Sequence, residues 1–239
     1  MRYQVIQADA TDLPLKSNYV DLVIGSPPYC DARLYDGADI PRKCAEWVNW
    51  MLKVTEEACR VSRGPVLWVA AGIGNYQPAV EGLIWRLWRK GYPVLRPCIW
   101  TKNAPPTGKK WFSNEWEFVV GIGPVITWNP DELATPIKYK AGGAFRQRGK
   151  DGKQRKGGQY PQHAMRKRPS NVFHVTVGGG HLGSPLAHEN EAPYPELLVE
   201  PFIRALTNPG HGTRPFQWQR HYCGSCPEVR PESYRVGHP

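Results

Sequence analysis

The chain has 239 residues, 41% hydrophobic and 11% aromatic, which suits one α/β domain with a smaller insert and excludes a disordered tail. A formal net charge of +10 points to a polyanionic partner. Neither a membrane helix, which needs roughly 20 apolar residues, nor a signal peptide is expected, and six scattered cysteines suit the reduced thiols of a cytosol.

Residues 3–8 read as a short strand ending at Asp9. Residues 21–25 form an apolar strand that runs directly into Ser26-Pro27-Pro28-Tyr29. Between 41 and 61, Ala45, Val48, Leu52, Thr55 and Cys59 fall near one helical face, and Ser62-Arg63-Gly64-Pro65 stops the helix. Residues 66–70 read as a buried strand. Val80, Leu83, Ile84 and Leu87 predict a second helix over 77–90, closed by Gly91. Strands are expected at 94–100 and 117–122. This alternation predicts a mostly parallel sheet with helices on both faces.

From 126 to 185 the composition turns to Gly, Lys, Arg, Gln and Pro with little periodicity, as in an inserted, loop-rich module. Residues 138–168 hold eleven Lys and Arg against one acid, Asp151. Such a run is either a solvated loop or a nucleic-acid contact. In the second reading Arg146, Arg148, Lys150, Lys153, Arg155 and Lys156 neutralise phosphates, and some of Arg166, Lys167 and Arg168 reach guanine edges. Residues 195–208 return to a helix that Pro201 should kink. Residues 211–239 have neither a helix nor a strand pattern.

The Ser26-Pro27-Pro28-Tyr29 corner carries the chemistry. Ligand sites of open α/β sheets lie beyond the carboxyl ends of strands. Two prolines stiffen the backbone and donate nothing, so their carbonyls are free for an incoming amine. An extruded base needs acceptors for its NH2 and an aromatic face to stack on. Ser26 and the Pro27 carbonyl supply the first, Tyr29 the second. An ordinary strand-to-loop turn is the plain alternative. Other features favour plain readings: Pro97-Cys98 a structural cysteine rather than a nucleophile, Gly72-Ile73-Gly74-Asn75 a loop, and Cys223-Gly224-Ser225-Cys226 no metal site.

Residues 7–14, with Asp9, followed by 18–24 and then the corner, resemble the start of the beta-group DNA amino-methyltransferases. Further matches keep that family's order: Trp88-Arg89-Lys90-Gly91-Tyr92, Ile99-Trp100-Thr101-Lys102, Asn114-Glu115-Trp116-Glu117, and the stretch from His188 through Asn190 and Pro193 to Glu196. The resemblance covers 3–125 and 178–210. It implies a Rossmann-like S-adenosylmethionine-dependent methyltransferase fold, circularly permuted and incomplete at the C-terminus. Residues 1–125 are the catalytic part, 126–185 the basic target-recognition insert, 186–210 the return to the methyltransferase domain, and 211–239 an irregular tail. By the same resemblance Ser26, Pro27, Pro28 and Tyr29 form the catalytic pocket, and Asp9, His188, Asn190 and Pro193 flank the cofactor, S-adenosylmethionine. Serine as first residue of the corner resembles the enzymes that methylate the amine of cytosine; amino-adenine specificity and a non-catalytic DNA-binding remnant are the alternatives. Double-stranded DNA is the expected partner, with a homodimer and a cognate restriction enzyme left open, and no membrane; the expected place is the cytoplasm, at the nucleoid.

The resemblance breaks after Gly210, where the family's Asp-Pro-Phe and Gly-x-Gly cofactor loop is due. Read one base later, the codons of residues 214–223 permit D-P-F-S-G-S-G-T-T-A, that loop itself. The tail is therefore expected to be out of frame, and the chain as written to bind its cofactor weakly or not at all.

Overall fold

The computed structural model describes residues 6–30, 41, 43–72, 77–103, 112–136, 143–159, 166–177 and 195–208, and the backbone of 215–218. In chain order its elements are β1 (Leu22–Gly25), α1 (Cys44–Val61), β2 (Val66–Ala70), α2 (Ala79–Arg89), β3 (Cys98–Thr101), β4 (Trp116–Ile122), β5 (Thr135–Pro136), β6 (Ala144–Arg148), β7 (Gln154–Gln159), β8 (Arg166–Lys167), β9 (Val172–His174), α3 (Glu196–Leu206) and β10 (Pro215–Trp218).

Six strands make one sheet in the order β10-β1-β2-β4-β3-β9. β1 and β2 are buried at every position, the continuous apolar run expected of strands covered on both faces. On one face α1 and α2 seat Trp47, Met51, Val54, Val80, Leu83 and Leu87 against Val23, Trp68, Val120 and Ile122. On the other, Leu198, Val199 and Phe202 of α3 cover Leu22, Ile24, Leu67 and Val119. A mainly apolar cavity of about 400 Å³, with Cys98, Val119, Pro201 and Phe202 among its walls, lies on this second face. The turn between α1 and β2 presses on the start of β1: a Cβ on Gly64 would stand 2.0 Å from the Asp21 carbonyl oxygen. Arg63 closes the same turn, its amide donating to Val20 at 2.9 Å and its side chain pairing with Asp21.

Both long helices and the strands at 66–70 and 117–122 form where the periodicity puts them. The differences are local and have causes. Residues 6–8 carry no strand; Asp9 and Asp12 instead close a turn with a 3.0 Å backbone bond, while residues 3–5 lie outside the described residues. The sheet is parallel except for β4, which runs against β2 and β3. Regular pairing of the 94–100 segment starts only at Cys98, and Val94 makes an isolated bridge to Ile122, because Pro93 and Pro97 have no N–H to give a ladder. α3 runs through Pro201 as one helix.

The insert is not structureless. β6 and β7 pair antiparallel across a turn at 149–152, with Gly152 at φ +76°, and β5 pairs with β8. β9, inside the 126–185 boundary, belongs to the main sheet, parallel to β3. Within the tail, β10 pairs parallel with β1, Leu22 to Pro215 through Gly25 to Trp218.

Candidate active site

The carboxyl ends of β1, β2 and β3 point to one edge of the sheet, and the reversal of β4 brings its first residues to that edge as well. Ser26-Pro27-Pro28-Tyr29 follows β1 here. Pro27 and Pro28 are buried; Ser26 and Tyr29 are half-buried. The four therefore form a corner that is rigid beneath and reachable at its two polar side chains.

Contrary to the expectation from sequence, the Pro28 carbonyl is not free, because Trp47 Nε1 donates to it at 2.8 Å. Trp47 is fully buried under the corner, and a buried indole N–H must find an acceptor. Pro28 is thus an anchor, and the acceptors left to the corner are the Pro27 carbonyl and the Ser26 hydroxyl. The apolar cavity on the α3 face does not include the corner in its walls.

Two residues that sequence reading assigned no role meet at this edge. Ser26 Oγ donates to the Tyr29 hydroxyl at 3.5 Å, and the Tyr29 hydroxyl donates to Glu117 Oε2 at 2.5 Å. Glu117 Oε1 pairs with Lys102 Nζ. Glu117, near the start of β4, is only 4% exposed. Lys102 follows β3 and sits 5.5 Å above the ring centre of Trp100, the cross-strand partner of Glu117. Burying a carboxylate costs several kcal/mol unless it is paired and hydrogen-bonded. Here both conditions are met, by Lys102 after β3 and Tyr29 of the corner.

Asp9 lies exposed in the turn before β1, its Oδ1 accepting from the amide and the hydroxyl of Thr11, both at 2.8 Å. These bonds, the backbone one first, hold its carboxyl below the ordinary range. The segment after Asp9 is tied to α1: Glu57 accepts from the Leu13 amide at 2.7 Å, and Arg60 donates to the carbonyls of Leu13 and Leu15 at 3.1 and 2.9 Å. His188, Asn190 and Pro193 lie outside the described residues.

The basic positions fall into two groups. Arg146 and Arg148 on β6, Arg155 and Lys156 on β7, and Lys150 and Lys153 in the turn between them share one exposed hairpin. Arg146 stands directly opposite Lys156, a like-charge pair that is unfavourable on a sheet without an anion to bridge it. Arg155 is paired with Asp151 at 3.2 Å. Lys167 and Arg168 are exposed on and just after β8, whereas Arg166 is spent on structure, donating twice to the Ala134 carbonyl at 2.6 and 3.1 Å. Cys98 is half-buried, and burial raises its thiol above the usual value, which agrees with a structural cysteine.

Among known proteins, a family model described as DNA methylase matches residues 20–212. No curated protein matches the sequence. The solved PvuII DNA methyltransferase, cytosine-N4-specific, is similar in fold: its TM-score is 0.55 at 15% identity, over 84% of this chain and 69% of that one. The Thermus thermophilus protein TTHA0409 aligns at 20% identity and TM-score 0.38, over 48% of this chain. This chain spans about half the length, 50%, of that structure. M1.HpyAVI aligns at 13% identity and TM-score 0.39, over 82% of this chain and 65% of its own.

Proposed function

The chain belongs to the DNA methylase family, and from that premise we propose that it moves a methyl group from S-adenosylmethionine to the exocyclic amine of cytosine in DNA. The observation that carries this reading is the Ser26-Pro27-Pro28-Tyr29 corner at the carboxyl end of β1, rigid, half-exposed and furnished with two acceptors.

The amine of cytosine is a weak nucleophile because its lone pair is delocalised into the ring. In the proposed site the Pro27 carbonyl and Ser26 Oγ accept from the two N–H bonds, which favours a pyramidal nitrogen and localises the pair. Tyr29 offers its ring face to the extruded base. Trp47, by fixing the Pro28 carbonyl, keeps the corner from relaxing when the base enters. Holding the amine at a fixed angle is a positioning effect worth several kcal/mol of barrier.

Asp9 fits the cofactor assigned to it. It is exposed and held in its ionised form, with Oδ2 unengaged by any hydrogen bond recorded among the described residues, so it can accept from the adenine amine or a ribose hydroxyl. When bound, S-adenosylmethionine supplies an electrophilic methyl group on a sulfonium centre. Serine as first residue of the corner supports cytosine over adenine, and the PvuII enzyme of similar fold is cytosine-N4-specific. The β6–β7 hairpin supplies phosphate contacts for double-stranded DNA.

Incubation of the protein with mixed DNA and a saturating labelled methyl donor, followed by nucleoside analysis, tests the proposal. N4-methylcytosine is the expected product. N6-methyladenine would transfer the specificity to adenine, and DNA binding with no product would leave a non-catalytic remnant.

A further inference from the structure

The hydrogen bonds at the corner point one way. Ser26 donates to Tyr29, Tyr29 donates to Glu117, and Glu117 ends the chain as an acceptor held by Lys102. We propose that Ser26, Tyr29 and Glu117 form a proton outlet for the methylated amine, with Lys102 keeping the terminal carboxylate in place. The inference rests on the methyltransferase reading above.

The balance of the reaction requires such an outlet. The amine nitrogen forms a bond to the methyl carbon as the carbon–sulfur bond of the sulfonium donor breaks, and sulfur keeps the electron pair as a neutral thioether. The nitrogen is left cationic with one proton too many. That proton passes to Ser26 Oγ as the serine proton moves to the Tyr29 oxygen and the phenol proton moves to Glu117 Oε2. The product base is then neutral, both hydroxyls are restored and Glu117 is protonated. The 3.5 Å step from Ser26 to Tyr29 is the loosest link, and catalytic hydrogen bonds commonly tighten when the substrate is in place.

The surroundings favour this use of Glu117. Among the described residues the charged or titratable groups recorded against it are Tyr29, from the corner after β1, and Lys102, from the end of β3. On its β2 side the neighbouring backbone carries Ala70 and Ala71. His174 on β9 bonds Thr101 at 2.6 Å instead. A carboxylate placed only to hold β3 against β4 would need Lys102 and nothing more. The short bond from Tyr29 ties it to the corner. Glu117 touches no reacting atom, so it is a positioning residue that works through Tyr29.

Single-turnover methylation at saturating donor tests the outlet with Tyr29→Phe, which removes one hydroxyl and keeps the ring, and with Glu117→Gln and Glu117→Asp. Tyr29→Phe and Glu117→Gln are expected to slow the step about 100-fold with DNA and donor affinities unchanged. Glu117→Asp, which keeps a carboxylate, is expected to restore part of the rate that Glu117→Gln loses. If Glu117→Gln fails to fold, Tyr29→Phe still decides. An undiminished rate in Tyr29→Phe, or a Glu117→Asp rate no higher than that of Glu117→Gln, would overturn the outlet while leaving the methyltransferase reading intact. No methylated base from the unaltered chain would remove that reading, and the outlet with it.

Discussion

At the scale of single residues, the corner was legible because its four members are adjacent in sequence and follow an apolar strand. Their immediate chemistry could be read from residue type alone. What they touch could not. Trp47, Lys102 and Glu117 come from a helix and two strands far along the chain, and no spacing rule brings position 117 to position 29. The cost of that blindness was one wrong carbonyl, that of Pro28. Cys98 gives a test at this scale. With its thiol raised by burial and its place on the wall of the apolar cavity, it is disfavoured as a nucleophile. Replacement by alanine is expected to leave methylation within roughly twofold of the unaltered rate, and alkylating agents at neutral pH should leave Cys98 unmodified. Loss of activity in Cys98→Ala would return this cysteine to the list of nucleophiles.

At the scale of elements, α1, α2, β2 and β4 were legible because each alternates or runs apolar over several turns or residues. The β6–β7 hairpin was not, since all but two of its strand residues are exposed and no buried face imposes an apolar period. What holds it is local: Gly157 lies so close to Phe145 that a Cβ would stand 2.0 Å from the phenylalanine carbonyl oxygen. Its charges predict DNA contact of a definite kind. The double substitution of Arg146 and Arg148 by alanine is expected to weaken binding equally on all sequences and to lower the salt dependence by about one phosphate per side chain. A change in sequence preference would show that this hairpin reads bases. Gly64 sets a second test. A methyl group there collides with the Asp21 backbone rather than with a movable side chain. Gly64→Ala should therefore cost at least the roughly 1–3 kcal/mol of ordinary overpacking, read from urea melts. A neutral result would mean that the turn and β1 are less tightly apposed.

At the scale of the whole molecule, the alternating part of the sheet followed from sequence and its two outer strands did not. β9 sits within a basic, aperiodic stretch, and β10 within a tail that shows no pattern. β10 nonetheless lies beside β1, where a cofactor loop following it would face the corner, and the sequence after Trp218 contains no Gly-x-Gly. Titration calorimetry is expected to find S-adenosylmethionine binding weaker than about 100 μM, or roughly −5.5 kcal/mol; tight binding would contradict the reading of 211–239 as out of frame, as would codons incompatible with the shifted loop. The pairing of Leu22 with Pro215 has one more consequence. During synthesis at roughly 5–20 residues per second, β1 leaves the ribosome about 10–40 s before its outer partner exists. Through that interval an almost wholly apolar strand presents open amide and carbonyl groups to its neighbours, so nascent chains of this protein should lean on chaperones in proportion to how slowly they are translated.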